Sequence, residues 1–140
     1  MIPLRLVIDT NVVVSAALKP AGLQRTVLLL ALTKPARLFV SPPILVEYRY
    51  VLARRELGIR KGLQRQVLDL IAHRARRTTP RQRFAVTSDP ADNIFVECAD
   101  ASSADYLITG NLRHFPRYWK NTKIVTSREF LDLIAPHLTH

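Results

Sequence analysis

Short apolar runs alternate along the chain with stretches of helical periodicity, and this alternation is what most restricts the folds open to it. Four runs have strand character: Leu4 to Ile8, Arg37 to Val40, Tyr106 to Thr109, and Lys123 to Thr126. They are apolar nearly throughout, as strands of a parallel sheet covered on both faces are. Between them, Leu23 to Leu32 is apolar almost all round, like a helix packed inside a domain, and ends at Lys34-Pro35. Ser41 can cap a helix with Pro42 in its first turn, running through Ile44, Leu45, Tyr48, Val51 and Leu52 to about Gly58. A further helix is predicted over 61–76, with Leu63, Val67, Leu70 and Ile71 on one side and arginines on the other. Asp89 caps another that turns Ile94, Phe95, Cys98 and Ala101 inward, and a last helix covers about 128–134. The prediction is an α/β fold of three α/β/α layers with a central, mainly parallel sheet. No repeat or low-complexity tract divides residues 1–140, which read as one domain.

Composition narrows the partners. No apolar run approaches the ~20 residues of a membrane span, and Asp9 interrupts the first apolar stretch, so a cytoplasmic location without a membrane partner is expected. Cys98 is the only cysteine, which excludes an internal disulfide and thiolate zinc sites; it reads as a buried thiol. Charge is the stronger signal. The net charge is +10, and the segment from Arg54 to Arg83 holds ten basic residues against Glu56 and Asp69. Such a basic stretch suits nucleic acid, and Arg54, Arg55, Arg74, Arg76, Arg77 and Arg81 are the candidate phosphate contacts, since a planar guanidinium can grip phosphate in two places.

In open parallel sheets the ligand site lies beyond the carboxyl ends of the strands. There the first strand ends in Asp9-Thr10-Asn11, the second leads through Ser41 into the helix carrying Glu47, and the third ends in Thr109-Gly110-Asn111. The helix before that third strand opens with Asp89-Pro90-Ala91-Asp92-Asn93. Asp9, Glu47, Asp92 and Asn111 are thus expected at one rim. Carboxylates brought together repel, so such a cluster implies a cation, and oxygen-only ligands select Mg²⁺ or Mn²⁺. Asp89 reads first as a helix cap. Glu97 stands evenly between site and surface, and Asp105, which precedes its strand, falls at the far end of the sheet. The four histidines (His73, His114, His137 and His140) show no metal-ligand spacing.

These segments resemble the PIN-domain ribonucleases, in particular the small VapC-like toxins of toxin–antitoxin pairs. The likeness runs from Val7-Ile8-Asp9-Thr10-Asn11-Val12, through Ser41-Pro42 to Glu47, to Asp89-Pro90-Ala91-Asp92-Asn93, and to Ala104-Asp105-Tyr106-Leu107-Ile108-Thr109-Gly110-Asn111 followed by Arg113-His114-Phe115. The resemblance implies a PIN-like α/β/α domain, Mg²⁺- or Mn²⁺-dependent cleavage of RNA, frequent homodimers, and an antitoxin that occludes the site. It places Asp9, Glu47 and Asp92 as metal-binding acids and Thr10, Asn11 and Thr109 as supporting polar groups. Where many members carry a fourth acid, this chain has Asn111, with Glu97 and Asp105 as secondary candidates for the missing charge.

The expected function is therefore a metal-dependent endoribonuclease, the toxin of a toxin–antitoxin pair. A PIN-fold RNA-binding module with weak or no catalysis, and a housekeeping RNA-processing nuclease, are the alternatives. A phosphatase with Asp9 as nucleophile is the least favoured class, because it normally needs a second aspartate two residues later, where this chain has Asn11.

Overall fold

A computed structural model describes residues 3–138 of the 140, so His140 lies outside the described residues, and for His137 only the backbone is described. The predicted strands form as β1 (Arg5–Ile8), β2 (Arg37–Val40), β4 (Tyr106–Ile108) and β6 (Thr122–Val125). They are joined by two short edge strands, β3 (Arg76–Arg77) and β5 (Tyr118–Trp119). The sheet order is β3-β2-β1-β4-β6-β5, parallel throughout except for the β5/β6 hairpin. The six helices are α1 (Thr10–Leu18), α2 (Leu23–Ala31), α3 (Pro42–Leu52), α4 (Lys61–Arg74), α5 (Pro90–Ser102) and α6 (Ser127–Leu138). Among the described residues no single helix is long and apolar enough to cross a membrane.

Side chains explain why these elements start where they do. Asp9 is still extended at φ −67°, ψ 151° and its side chain accepts a hydrogen bond from the amide of Thr10, so it caps α1 directly after β1. Ser41 caps α3 by accepting from the amide of Ile44, with prolines filling the first turn. Asp89 caps α5 by accepting from the amide of Ala91, and Ser103 closes that helix in the left-handed conformation at φ 52°. The strands are buried as their composition requires: Leu6, Val7, Ile8, Leu107, Ile108, Ile124 and Val125 have no exposed surface.

Two expectations change. The predicted all-round burial of α2 is corrected: Val27, Leu28 and Ala31 are buried, but Leu29 is 43% exposed, because α2 packs on α1 and α6 with one face only. On α5 it is Ala99, not Ala101, that joins Phe95 and Cys98 inside. Cys98 is a free buried thiol, and burial pushes its pKa up to about 12, so it stays protonated.

Candidate active site

From β1 the chain goes to β2 on one side, whereas β4 leads to β6 on the other. The strand order therefore reverses between β1 and β4, and the crevice past their carboxyl ends is the natural ligand position in such a sheet. Asp9 follows β1 and Thr109 follows β4. They meet across this gap: the Thr109 hydroxyl donates to Asp9 Oδ2 at 2.7 Å, while the Thr10 amide donates to Oδ1 at 2.7 Å. Thr109 Oγ1 in turn accepts the Asn111 amide at 3.0 Å. Beside it the Asn11 side chain accepts the Gly110 amide at 3.0 Å. A Cβ at Gly110 would stand 3.3 Å from that same Asn11 oxygen, so glycine lets the two loops approach closely. Thr10, Asn11 and Thr109 thus all help to build the rim.

The other acids come from separate helices. On α3, Tyr48 is fully buried and its hydroxyl donates to the carbonyl of Ile8, the last residue of β1. That bond pins α3 beneath the strand end and brings half-buried Glu47 to the rim, where Thr10 Oγ1 donates to its Oε2 at 3.3 Å. Asp92 sits in the first turn of α5. The loop ahead of it is held by buried Asn93, whose carbonyl oxygen accepts the Thr87 amide at 2.8 Å and whose amide donates to the Thr87 carbonyl. His114 approaches Asp92, with Nδ1 3.1 Å from Oδ2.

The electrostatics centre on Asp9, on which the charges of both Asp92 and Glu47 act. Asp9 is only 6% exposed. Burial is the main reason its carboxyl is pushed from 3.8 up to about 6; the charges of Asp92 and Glu47 add to the rise, and the bonds from Thr109 and Thr10 oppose it without overcoming it. Asp92 is also raised, mostly by burial and further by Asp89, while His114 pulls it down. A buried carboxylate whose hydrogen bonds do not offset its burial and the charges of two other acids can attract a cation or a group carrying one.

A family model of the PIN domain matches residues 5–113, which contain every one of these side chains except His114. The chain belongs to the PIN-domain family. An uncharacterized protein of Methanocaldococcus jannaschii, MJ1680, is 29% identical over 94% of this chain and 92% of its own length. A chain of the VapBC2 complex of Rickettsia felis, crystallised with a DNA fragment from its promoter, superposes with a TM-score of 0.58 at 18% identity, over 86% of this chain and 97% of that one. The PIN fold is thus common to both, and at the level of the family the fold belongs to nucleases.

PIN nucleases typically use divalent metals. Among the described residues no three acidic, histidine or cysteine side chains stand close enough to enclose an ion. Mg²⁺ does not require enclosure, since it keeps several waters and is held through one or two carboxylates together with substrate phosphate. Carboxylates at this rim offer oxygen only, the donor chemistry that such an open site uses.

Other sequence candidates land elsewhere in this PIN domain. Asn111 is exposed just past Thr109, and among the described residues its side chain makes no hydrogen bond. Glu97 is occupied further along α5, where its Oε2 accepts the Phe84 amide at 3.0 Å and fastens the loop before that helix. Asp105 lies at the amino end of β4 and accepts the Arg5 amide at 2.8 Å. Each of these two carboxylates thus serves a main-chain amide, and neither is among the charges that act on Asp9. Arg54, Arg55, Arg74, Arg76, Arg77 and Arg81 are all exposed, and none forms an ion pair among the described residues. Arg77 pairs in register with Val40, so β3 brings it to the same end of the sheet as Ser41. Tyr48 and His114 are the contributors that the sequence reading passed over.

Proposed function

We propose that this PIN domain is a metal-dependent endoribonuclease whose site is built from Asp9, Glu47 and Asp92, with residues 1–140 acting as one unit. The observation that carries this reading is the carboxyl of Asp9, raised to about 6 chiefly by burial and further by the charges of Asp92 and Glu47, at the point where the strand order reverses. Asp9, Glu47 and Asp92 would hold Mg²⁺ or Mn²⁺. Such an ion supplies positive charge that polarises a phosphodiester and makes water more acidic. Thr109 and Thr10 keep the Asp9 carboxylate oriented, and Asn111 offers a neutral carbonyl at the rim. The unpaired arginines grip the phosphate backbone, a contribution that carries no base specificity and weakens steeply with salt. No side chain is required to form a covalent intermediate.

The VapBC2 likeness supports a toxin role with an antitoxin as protein partner; a second copy of the chain as a further partner and the cytoplasm as the place of action complete the proposal. The neutral Asn111 favours one further reading, an RNA-binding module without catalysis. Cleavage of RNA with Mn²⁺, with EDTA, and by Asp9→Asn separates the two. The nuclease reading expects activity that EDTA abolishes and metal restores, and a loss of about a hundredfold or more in Asp9→Asn with RNA affinity retained. Metal-independent cleavage, or full activity in Asp9→Asn, would overturn it; tight RNA binding with no cleavage under any metal would establish the binding module.

A further inference from the structure

Tyr50 is the most exposed large apolar side chain of the described residues, at 66%, and Val46 one turn before it is 60% exposed. Both lie on α3, the helix that presents Glu47. Tyr50 follows Glu47 by three residues, so the two side chains are neighbours on the helix surface. The guanidinium of Arg54 stands 5.6 Å from the centroid of the Tyr50 ring. Arg49, Arg54 and Arg55 are exposed around it, and none of them has an ion-pair partner among the described residues. Keeping apolar surface in water forgoes stabilisation that burial would provide, so Tyr50 and Val46 exposed together beside Glu47 and unpaired arginines point to a partner that covers them.

The charges say which partner. A second copy of this chain also carries +10, and would set arginine against arginine at this face. Single-stranded RNA offers what the face lacks, a flat base for the ring and phosphates for the guanidinium groups. We propose that Tyr50, backed by Arg54, is a stacking subsite for an unpaired base next to the scissile phosphate. The inference rests on the nuclease reading of Glu47 and extends it to substrate class, since only an unpaired base has a face free to stack.

The test is fluorescence anisotropy of a labelled oligoadenylate of about 12 nucleotides, single-stranded or annealed to its complement, in EDTA to prevent cleavage. Tyr50→Ala should weaken single-strand binding roughly 5- to 100-fold with an unchanged salt dependence, and Tyr50→Phe should stay within about twofold of wild type. Arg54→Ala should instead lower the slope of log affinity against log salt by about one. Duplex binding should be nearly indifferent to Tyr50→Ala. Unchanged single-strand affinity in Tyr50→Ala overturns the subsite while leaving the nuclease reading intact, whereas wild type that binds no RNA at low salt overturns that reading itself. Should gel filtration show Tyr50→Ala turning a dimer into a monomer at unchanged RNA affinity, the face belongs to a protein contact and the subsite is refuted.

Discussion

The two ends of the central sheet each carry an aspartate at a strand terminus, and the two are treated in opposite ways. Asp105, before β4, is exposed, and its carboxylate accepts the Arg5 amide at 2.8 Å. Its main chain completes the clasp: its amide donates to the Arg5 carbonyl, and its carbonyl accepts from Lys123, tying together the starts of three strands. Asp9, after β1, also takes an amide hydrogen bond, yet it is buried, and two further acids act on it. At the amino end the carboxylate serves the fold at little electrostatic cost. At the carboxyl end an ionised carboxylate is kept where the fold alone disfavours it, and such uncompensated burial marks Asp9 as a functional candidate even though it also caps α1.

The largest effect that can break this comparison is one of stability. The folded state binds a proton on Asp9 more tightly than the unfolded chain does, since its carboxyl moves from 3.8 to about 6. Between those values the folded protein holds more protons than the unfolded chain, so without metal its stability falls as pH rises through that window and stays reduced above it. Asp9→Asn removes the charge. It should raise metal-free stability at pH 7 by up to about 3 kcal/mol, or several degrees in Tm, with the advantage gone near pH 4. Thermal unfolding in EDTA at the two pH values checks this. A lower Tm for Asp9→Asn at pH 7 would make the Asp9 carboxylate a structural group like that of Asp105 and erase the distinction.

A smaller effect sharpens it. Thr109 and Thr122 are both buried threonines whose hydroxyls donate, the first to the Asp9 carboxylate at 2.7 Å and the second to the Ala104 carbonyl at 2.6 Å. Thr109→Val removes a group that orients a proposed ligand and favours its charged form. Mn²⁺ affinity should fall about 10- to 100-fold, as for other supporting residues of metal sites. Thr122→Val loses a comparable hydrogen bond at the other end and should leave Mn²⁺ affinity within about twofold. Calorimetric titration of both variants gives the comparison, and equal losses would mean that only general destabilisation is being measured.

What could be read from the sequence follows the same physics. β2 has the bounds that its apolar run predicts, because central strands buried on both faces are written in composition. The edge strands were not legible: Arg76–Arg77 and Tyr118–Trp119 are two residues each and exist through pairing with one neighbour, which no local signal announces. α1 was also missed. Its Val12-Val13-Val14 run favours strand by propensity, but the cap at Asp9 and burial of six of its nine residues make it helical. At the site, Asp9, Glu47 and Asp92 follow from strand ends and helix starts. The His114 contact depends on a 3₁₀ turn at Leu112–His114 that swings the imidazole back toward α5, and the absence of metal-ligand spacing hid it.

The smallest prediction concerns Asp105 and follows from its geometry alone. Its carboxylate oxygen is an acceptor for one main-chain N–H, and a neutral amide oxygen can fill the same role. Asp105→Asn should therefore cost only a few tenths of a kcal/mol, whereas Asp105→Ala, which leaves the Arg5 amide to water, should cost about 1 kcal/mol. Urea unfolding of the two variants measures this difference, and RNA cleavage should be unchanged in both. The signs then oppose those expected at Asp9, where neutralising the carboxylate should stabilise the protein and abolish the proposed activity. If Asp105→Asn instead abolished cleavage while folding normally, charge at the amino end would matter to the chemistry, and the division of labour between the two ends would fail.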